Sequence, residues 1–192
     1  MIKIAFRPEM VQQWFEAQRV ELRSAYGCKV TTKAEYRWFW KAIAWVFWVV
    51  GGFRHKDAFM GYTTTIGPLI AFPESTDLDR VSLSELVTLK HEAVHVRQYS
   101  NFGLGEPLIG IPLFVFLYLL IPVPAYYSWF RFKLERDAYW TEYKYALKMG
   151  MTPNLDAYAE VISGPGYLYA WPKARVLAWF EKQVEKFTAS NP

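Results

Sequence analysis

Between Pro107 and Phe130 the chain runs for 24 consecutive residues without a charged side chain, and this stretch limits the available folds more than any other feature. A helix needs about 20 apolar residues to cross a bilayer, so by length alone the segment qualifies. Prolines at 107, 112, 122 and 124 work against one continuous helix, because the backbone before a proline is pushed out of the helical region. The Ile-Pro-Val-Pro sequence at 121–124 reads as a reversal, so that Leu108 to Ile121 runs one way and Ala125 to Phe132 returns. Such an apolar hairpin can dip into a membrane, lie on its surface, pack against the Trp-rich stretch at Trp38 to Val50, or serve as core in a soluble protein.

Periodicity predicts helices around it. After a short strand-like opening at Ile2 to Phe6, Glu9 to Tyr26 carries apolar residues at Met10, Val11, Trp14, Phe15 and Leu22, with Gly27 as a stop. The aromatic run from Ala34 to Val50 ends at Gly51 and Gly52. Its uncharged part, Ala42 to Phe53, is 12 residues long and suits a buried or interfacial helix better than a span. Ala58 to Phe72 is rich in Thr, Ile and aromatics and is interrupted by Gly61 and Gly67-Pro68, as expected of two short strands or one bent strand. Pro68 argues for an edge position. Ser82 and Glu85 have capping-box spacing for a helix from Leu83 to Tyr99. Further helices are expected from Arg131 to Lys148, stopped by Gly150, and from Asn154 to Ile162. After the SGPGYLYAWP loop, a final helix places Val176, Leu177, Phe180, Val184 and Phe187 on one face. The fold class is therefore α+β and mostly helical, with a small edge sheet and the apolar hairpin at 107–130, within one domain covering 1–192.

Composition narrows the setting. Hydrophobic residues make up 53% of the chain and aromatics 19%, an excess usual where rings settle at a membrane interface. A formal charge of +4 fits attraction to anionic lipid, but no dense Lys/Arg block or nucleic-acid motif accompanies it, so no nucleic-acid partner is expected. Cys28 is the one cysteine, which excludes an internal disulfide and a thiolate zinc site. The first residues hold scattered charges and no apolar core of signal-peptide length. The expected location is cytoplasmic, with the inner face of a membrane as the alternative.

His91-Glu92-Ala93-Val94-His95 matches H-E-x-x-H on the predicted 83–99 helix. Residues four apart project from one face, so both imidazoles can reach one ion, while Glu92, about 100° round the helix, can meet a bound water instead. Zinc with three protein ligands and an open position lowers the pKa of its water to about 7, and a nearby carboxylate can take that proton and pass it to a departing amine. The competing reading is a chance coincidence on a surface helix. For the third ligand, His55 sits in a charged turn, whereas the 131–148 helix offers Glu135, Asp137 and Glu142, with Glu135 and Glu142 nearly cofacial. These acids can equally form a solvated, salt-bridged face with Lys133, Arg136 and Lys144. Tyr139 and Tyr143 are candidates for oxyanion donors or for packing residues; Gln98 and Tyr99 are candidates for lining the cleft, and Arg97 is expected in solvent.

The order of strand, polar loop, H-E-x-x-H helix and later helix with Glu135-Arg136-Asp137-Ala138 resembles the glutamate-zincin class of metallopeptidases, including membrane-linked families. The resemblance covers Tyr62 to Ala146 and implies Glu135 as the third zinc ligand, with Asp137 a bystander. Tyr139 stands where the fuller pattern has an Asp that orients a ligating histidine, so that role passes to another group. If His91, His95 and Glu135 share one ion, the 39 residues between His95 and Glu135 must leave the site and come back. A single membrane pass would put Glu135 about 30 Å away, which favours the hairpin. The expected function is a zinc peptidase acting on protein or peptide substrates, with a membrane surface as a further partner. The alternative is a membrane-associated structural or interaction protein whose metal site is not catalytic, and a weaker third option is a zinc hydrolase of non-peptide amides.

Overall fold

The computed structural model describes residues 6–51, 59–102, 129–164, 167 and 171–190. Residues 107–128 of the expected hairpin, residues 2–5 of the opening strand, and His55 lie outside the described residues. The chain divides into two compact units, Met1–Phe114 and Val115–Pro192. The described architecture is mostly helical with one small three-stranded sheet, as the sequence predicts. Among the described residues, no helix is long and apolar enough to cross a membrane.

The first unit opens with α1 (Pro8–Tyr26). Pro8 sits where a missing N–H removes no helical bond, and Glu9 and Arg23 lie at the helix ends that favour their charges. The helix stops where predicted: Gly27, at φ 61°, turns left-handed and donates its N–H to the carbonyl of Arg23 at 3.0 Å. Val11, Phe15, Gln18 and Leu22 form its buried stripe.

A strand the sequence reading did not anticipate, β1 (Lys29–Thr32), follows directly. Its sequence, Lys-Val-Thr-Thr, has one strongly apolar residue and no Gly or Pro punctuation after it, so neither alternation nor a turn signal marks it out. After α2 (Arg37–Gly51) come β2 (Thr64–Ile66) and β3 (Leu69–Phe72). The sheet order is β1-β3-β2, with β1 parallel and β2 antiparallel to β3. Ile66 pairs with Leu69, leaving Gly67 and Pro68 as a two-residue hairpin loop. Gly67, at φ 54°, supplies the positive φ that such a loop needs at its first central position. The edge position expected from Pro68 is thus corrected: β3, the strand it precedes, is central. Pro68 lies in the turn, where no ladder N–H is required, and its carbonyl accepts the Lys29 N–H at 2.8 Å.

α3 (Leu83–Phe102) starts on the predicted capping box. The Glu85 N–H donates to the Ser82 hydroxyl at 3.3 Å, and the Ser82 N–H donates to the Glu85 carboxylate at 2.6 Å. From His91 to Val96 six consecutive residues are buried. A helix lying on a surface would expose one side in that span, so α3 is a central element and not a surface helix.

The second unit contains α4 (Trp129–Lys148), α5 (Leu155–Ser163) and α6 (Lys173–Ser190). Gly150, at φ 66°, follows α4. The Asn154 side chain caps α5 by accepting the N–H groups of Asp156 and Ala157. Phe132, Ala159, Ile162, Val176 and Phe180 form its core, where Phe132 stacks on Trp171 at 5.7 Å between centroids and 6° between planes. Replacing Ser82 by Ala should destabilise the protein by about 1 kcal/mol, read as a lower urea midpoint with an unchanged denaturant slope.

Candidate metal centre

His91 and His95 lie one turn apart on α3, only 4% and 7% exposed, with their Nε2 atoms 3.3 Å from each other. Two nitrogens bound to one zinc at about 2.0–2.1 Å in tetrahedral geometry are about 3.3–3.4 Å apart. The spacing between the rings is therefore already that of two ligands on one ion. His95 Nδ1 lies 2.9 Å from Gln98 Oε1. An amide oxygen only accepts, so the proton belongs on Nδ1 and the lone pair on Nε2, which faces His91. Gln98, expected from the sequence as a cleft-lining residue, therefore orients the His95 ring.

Glu135 on α4 is 2% exposed. His91, His95 and Glu135 each offer one ligand atom, and these atoms all lie within 4.8 Å of one another. The three make a buried group that can hold a metal ion, and two imidazoles with one carboxylate form a donor set suited to zinc. The other acids of α4 are engaged differently. Asp137 is exposed beside Arg136, at 3.4 Å. Glu142 accepts the hydroxyl of Tyr158 at 3.0 Å; burial and then that negative charge push the phenol well above its ordinary range. Cys28 is buried, and burial raises its thiol to about 11, so it stays protonated and inert at neutral pH.

Glu92, 7% exposed, is held from the sheet: the Thr65 hydroxyl on β2 donates to its Oε2 at 2.5 Å. A charge-assisted bond of this length fixes one carboxylate oxygen and leaves the other to act. Sequence reasoning did not single out Thr65, because pairing across 27 positions leaves no local trace.

It also missed Lys33, which is fully buried. The ammonium donates to the Phe59 carbonyl and lies 4.1 Å from the centroid of the Phe59 ring and 5.4 Å from that of Trp40, a cation–π arrangement. Burial lowers its pKa to about 8, opposed by the negative charge of Glu92. A lysine in a turn reads as solvated, so nothing local announced it.

On α4, Arg131, Glu135 and Tyr139 are spaced by four and share a face. Arg131, 1% exposed, donates to the Tyr167 carbonyl at 3.0 Å, and the Tyr139 and Tyr167 hydroxyls are 3.1 Å apart. Tyr167, in the loop from Ser163 to Pro172, is thus fastened at both ends to the face that carries Glu135. Tyr143 is buried and stacks on Trp140 at 5.3 Å, and Tyr99 is buried. Arg97 is exposed, as expected. Comparison with protein-family models, curated proteins and solved structures returns no match.

If the centre holds a metal ion, Gln98→Ala should weaken its binding by about ten- to a hundredfold, measured by competition with a chromogenic chelator. Lys33 has a second measurable consequence. Its folded pKa, about 8, lies below the ordinary 10.5. Below about pH 8 both folded and unfolded chains carry the proton, and burial opposes folding in full. Between about 8 and 10.5 the folded chain releases the proton first, so stability rises with pH. Denaturation midpoints across that range should climb in the wild type and climb less in Lys33→Met.

Proposed function

We propose that this chain is a zinc-dependent peptidase of the glutamate-zincin kind, with His91, His95 and Glu135 holding the ion and Glu92 as general base. One observation carries the reading: two buried imidazoles at tetrahedral-edge spacing converge with a buried carboxylate, directly beside a second carboxylate held by a strand hydroxyl. A structural zinc site is closed by four protein ligands, whereas a catalytic one has three and an open position. Among the described residues the group has three members.

Zinc in such a site supplies an activated water and polarises the carbonyl under attack. The protein's own part falls to named side chains. Glu92 accepts the proton of the attacking water and returns it to the leaving amine nitrogen, while Thr65 keeps its carboxylate from rotating. The Nδ1–H of His95, anchored on Gln98, keeps Nε2 free to donate its lone pair.

The position of Thr65 favours peptides over other amides. Among the described residues β2 is a terminal strand of the sheet, and a sheet edge offers unpaired backbone groups to an extended chain. A peptide lying along β2 would bring its amide bonds past the residue whose neighbour is the general base. Protein or peptide substrates are therefore the proposed class.

The protein should bind about one zinc per chain, measured by plasma mass spectrometry. Glu92→Gln should keep that zinc yet cut hydrolysis of a broad peptide library by about a hundredfold or more. Loss of the metal in this variant, or undiminished turnover, removes Glu92 as the base.

A further inference from the structure

α2 buries one side and leaves a tryptophan face in solvent. Trp40 and Ala44 point inward at 0% and 7% exposure, while Trp38 and Trp45 are 76% and 56% exposed. Trp38, Lys41 and Trp45 are three and four residues apart in turn, so they lie on one stripe, joined by exposed Ala42. Tryptophan is highly buried on average, and two indoles left in water on one stripe mark a surface that meets something.

The charge on this helix indicates what that is. From Arg37 to Gly51 it contains two cations and no Asp or Glu. Arg37 is taken up in a two-pronged bond to Glu74, at 2.9 and 2.7 Å, so Lys41 supplies the charge of the stripe. A lysine between two aromatic anchors suits a protein interface poorly, since the cores of such interfaces are depleted in lysine. It suits a lipid headgroup layer well: indoles settle at that depth, the lysine stem lies along apolar surface with its ammonium among the headgroups, and anionic lipid attracts the charge. Seven residues separate the indoles by about 10.5 Å along the helix axis, so a helix lying in the interface plane seats both at one depth.

We propose that the Trp38–Lys41–Trp45 face of α2 docks flat onto an anionic lipid bilayer. This inference stands on α2 alone and does not require the peptidase reading. The full chain would be sedimented with vesicles of phosphatidylcholine mixed with phosphatidylglycerol, and with vesicles of phosphatidylcholine alone. The expected result is binding to the mixed vesicles and much weaker binding to the neutral ones. Trp38→Ser with Trp45→Ser should reduce partitioning by about tenfold or more, and Lys41→Glu by about fivefold or more, each with unchanged far-ultraviolet circular dichroism. Three results overturn the proposal: no binding by the wild type, equal binding to neutral vesicles, or undiminished binding by the double Trp variant. A wild type that sediments in free solution as a dimer, dissociated by the double Trp variant and indifferent to vesicles, assigns the face to self-association instead.

Discussion

The geometry of the candidate centre follows from the burial of two histidines one helical turn apart, within a stretch of α3 whose six residues from His91 to Val96 are all buried. Imidazole nitrogens and a carboxylate withdrawn from water lose hydration that must be replaced. A metal ion held at their focus would replace it for all three groups at once, turning a desolvation cost into coordination. The surrounding residues serve this arrangement from different elements. Gln98 fixes the protonation of one ring from the same helix, Thr65 holds the neighbouring carboxylate from the sheet, and Lys33 brings a buried positive charge near that carboxylate.

What the sequence disclosed were features whose cause is local. The capping box at Ser82 and Glu85, the stop at Gly27 and the turn at Gly67-Pro68 each depend on a few adjacent residues, and each lies where spacing predicts. The His91/His95 pair is likewise a local pattern, set by the helical repeat. Glu135 was reached only through a family resemblance, because nothing near it in the chain singles it out from Asp137 or Glu142. Lys33, Thr65 and β1 escaped because their roles depend on distant partners. The burial of the middle of α3 was hidden too: Lys90 looks like a solvent-facing residue, yet its ammonium is bonded to Gln18, which is itself buried in α1.

The aromatic excess has two destinations. In the second unit Phe132, Trp140, Trp171 and Trp179 stack and cross one another as packing, with the Arg136 guanidinium 5.0 Å from the Trp179 ring centroid. Composition alone pointed toward a membrane interface, but these rings need no lipid to account for them. The tryptophans of α2 differ because they are exposed on one stripe with a cation between them.

The two-residue loop at Gly67-Pro68 governs more than the sheet. It fixes Thr65 opposite Ile70, and side chains alternate between faces along a strand. One extra residue in that loop would slip the pairing, turn the Thr65 hydroxyl to the far face and bring an adjacent side chain toward Glu92. Loops elsewhere can lengthen at little thermodynamic cost, whereas the length of this one decides which atom stands guard over the acid, so its tolerance for insertion is close to nil.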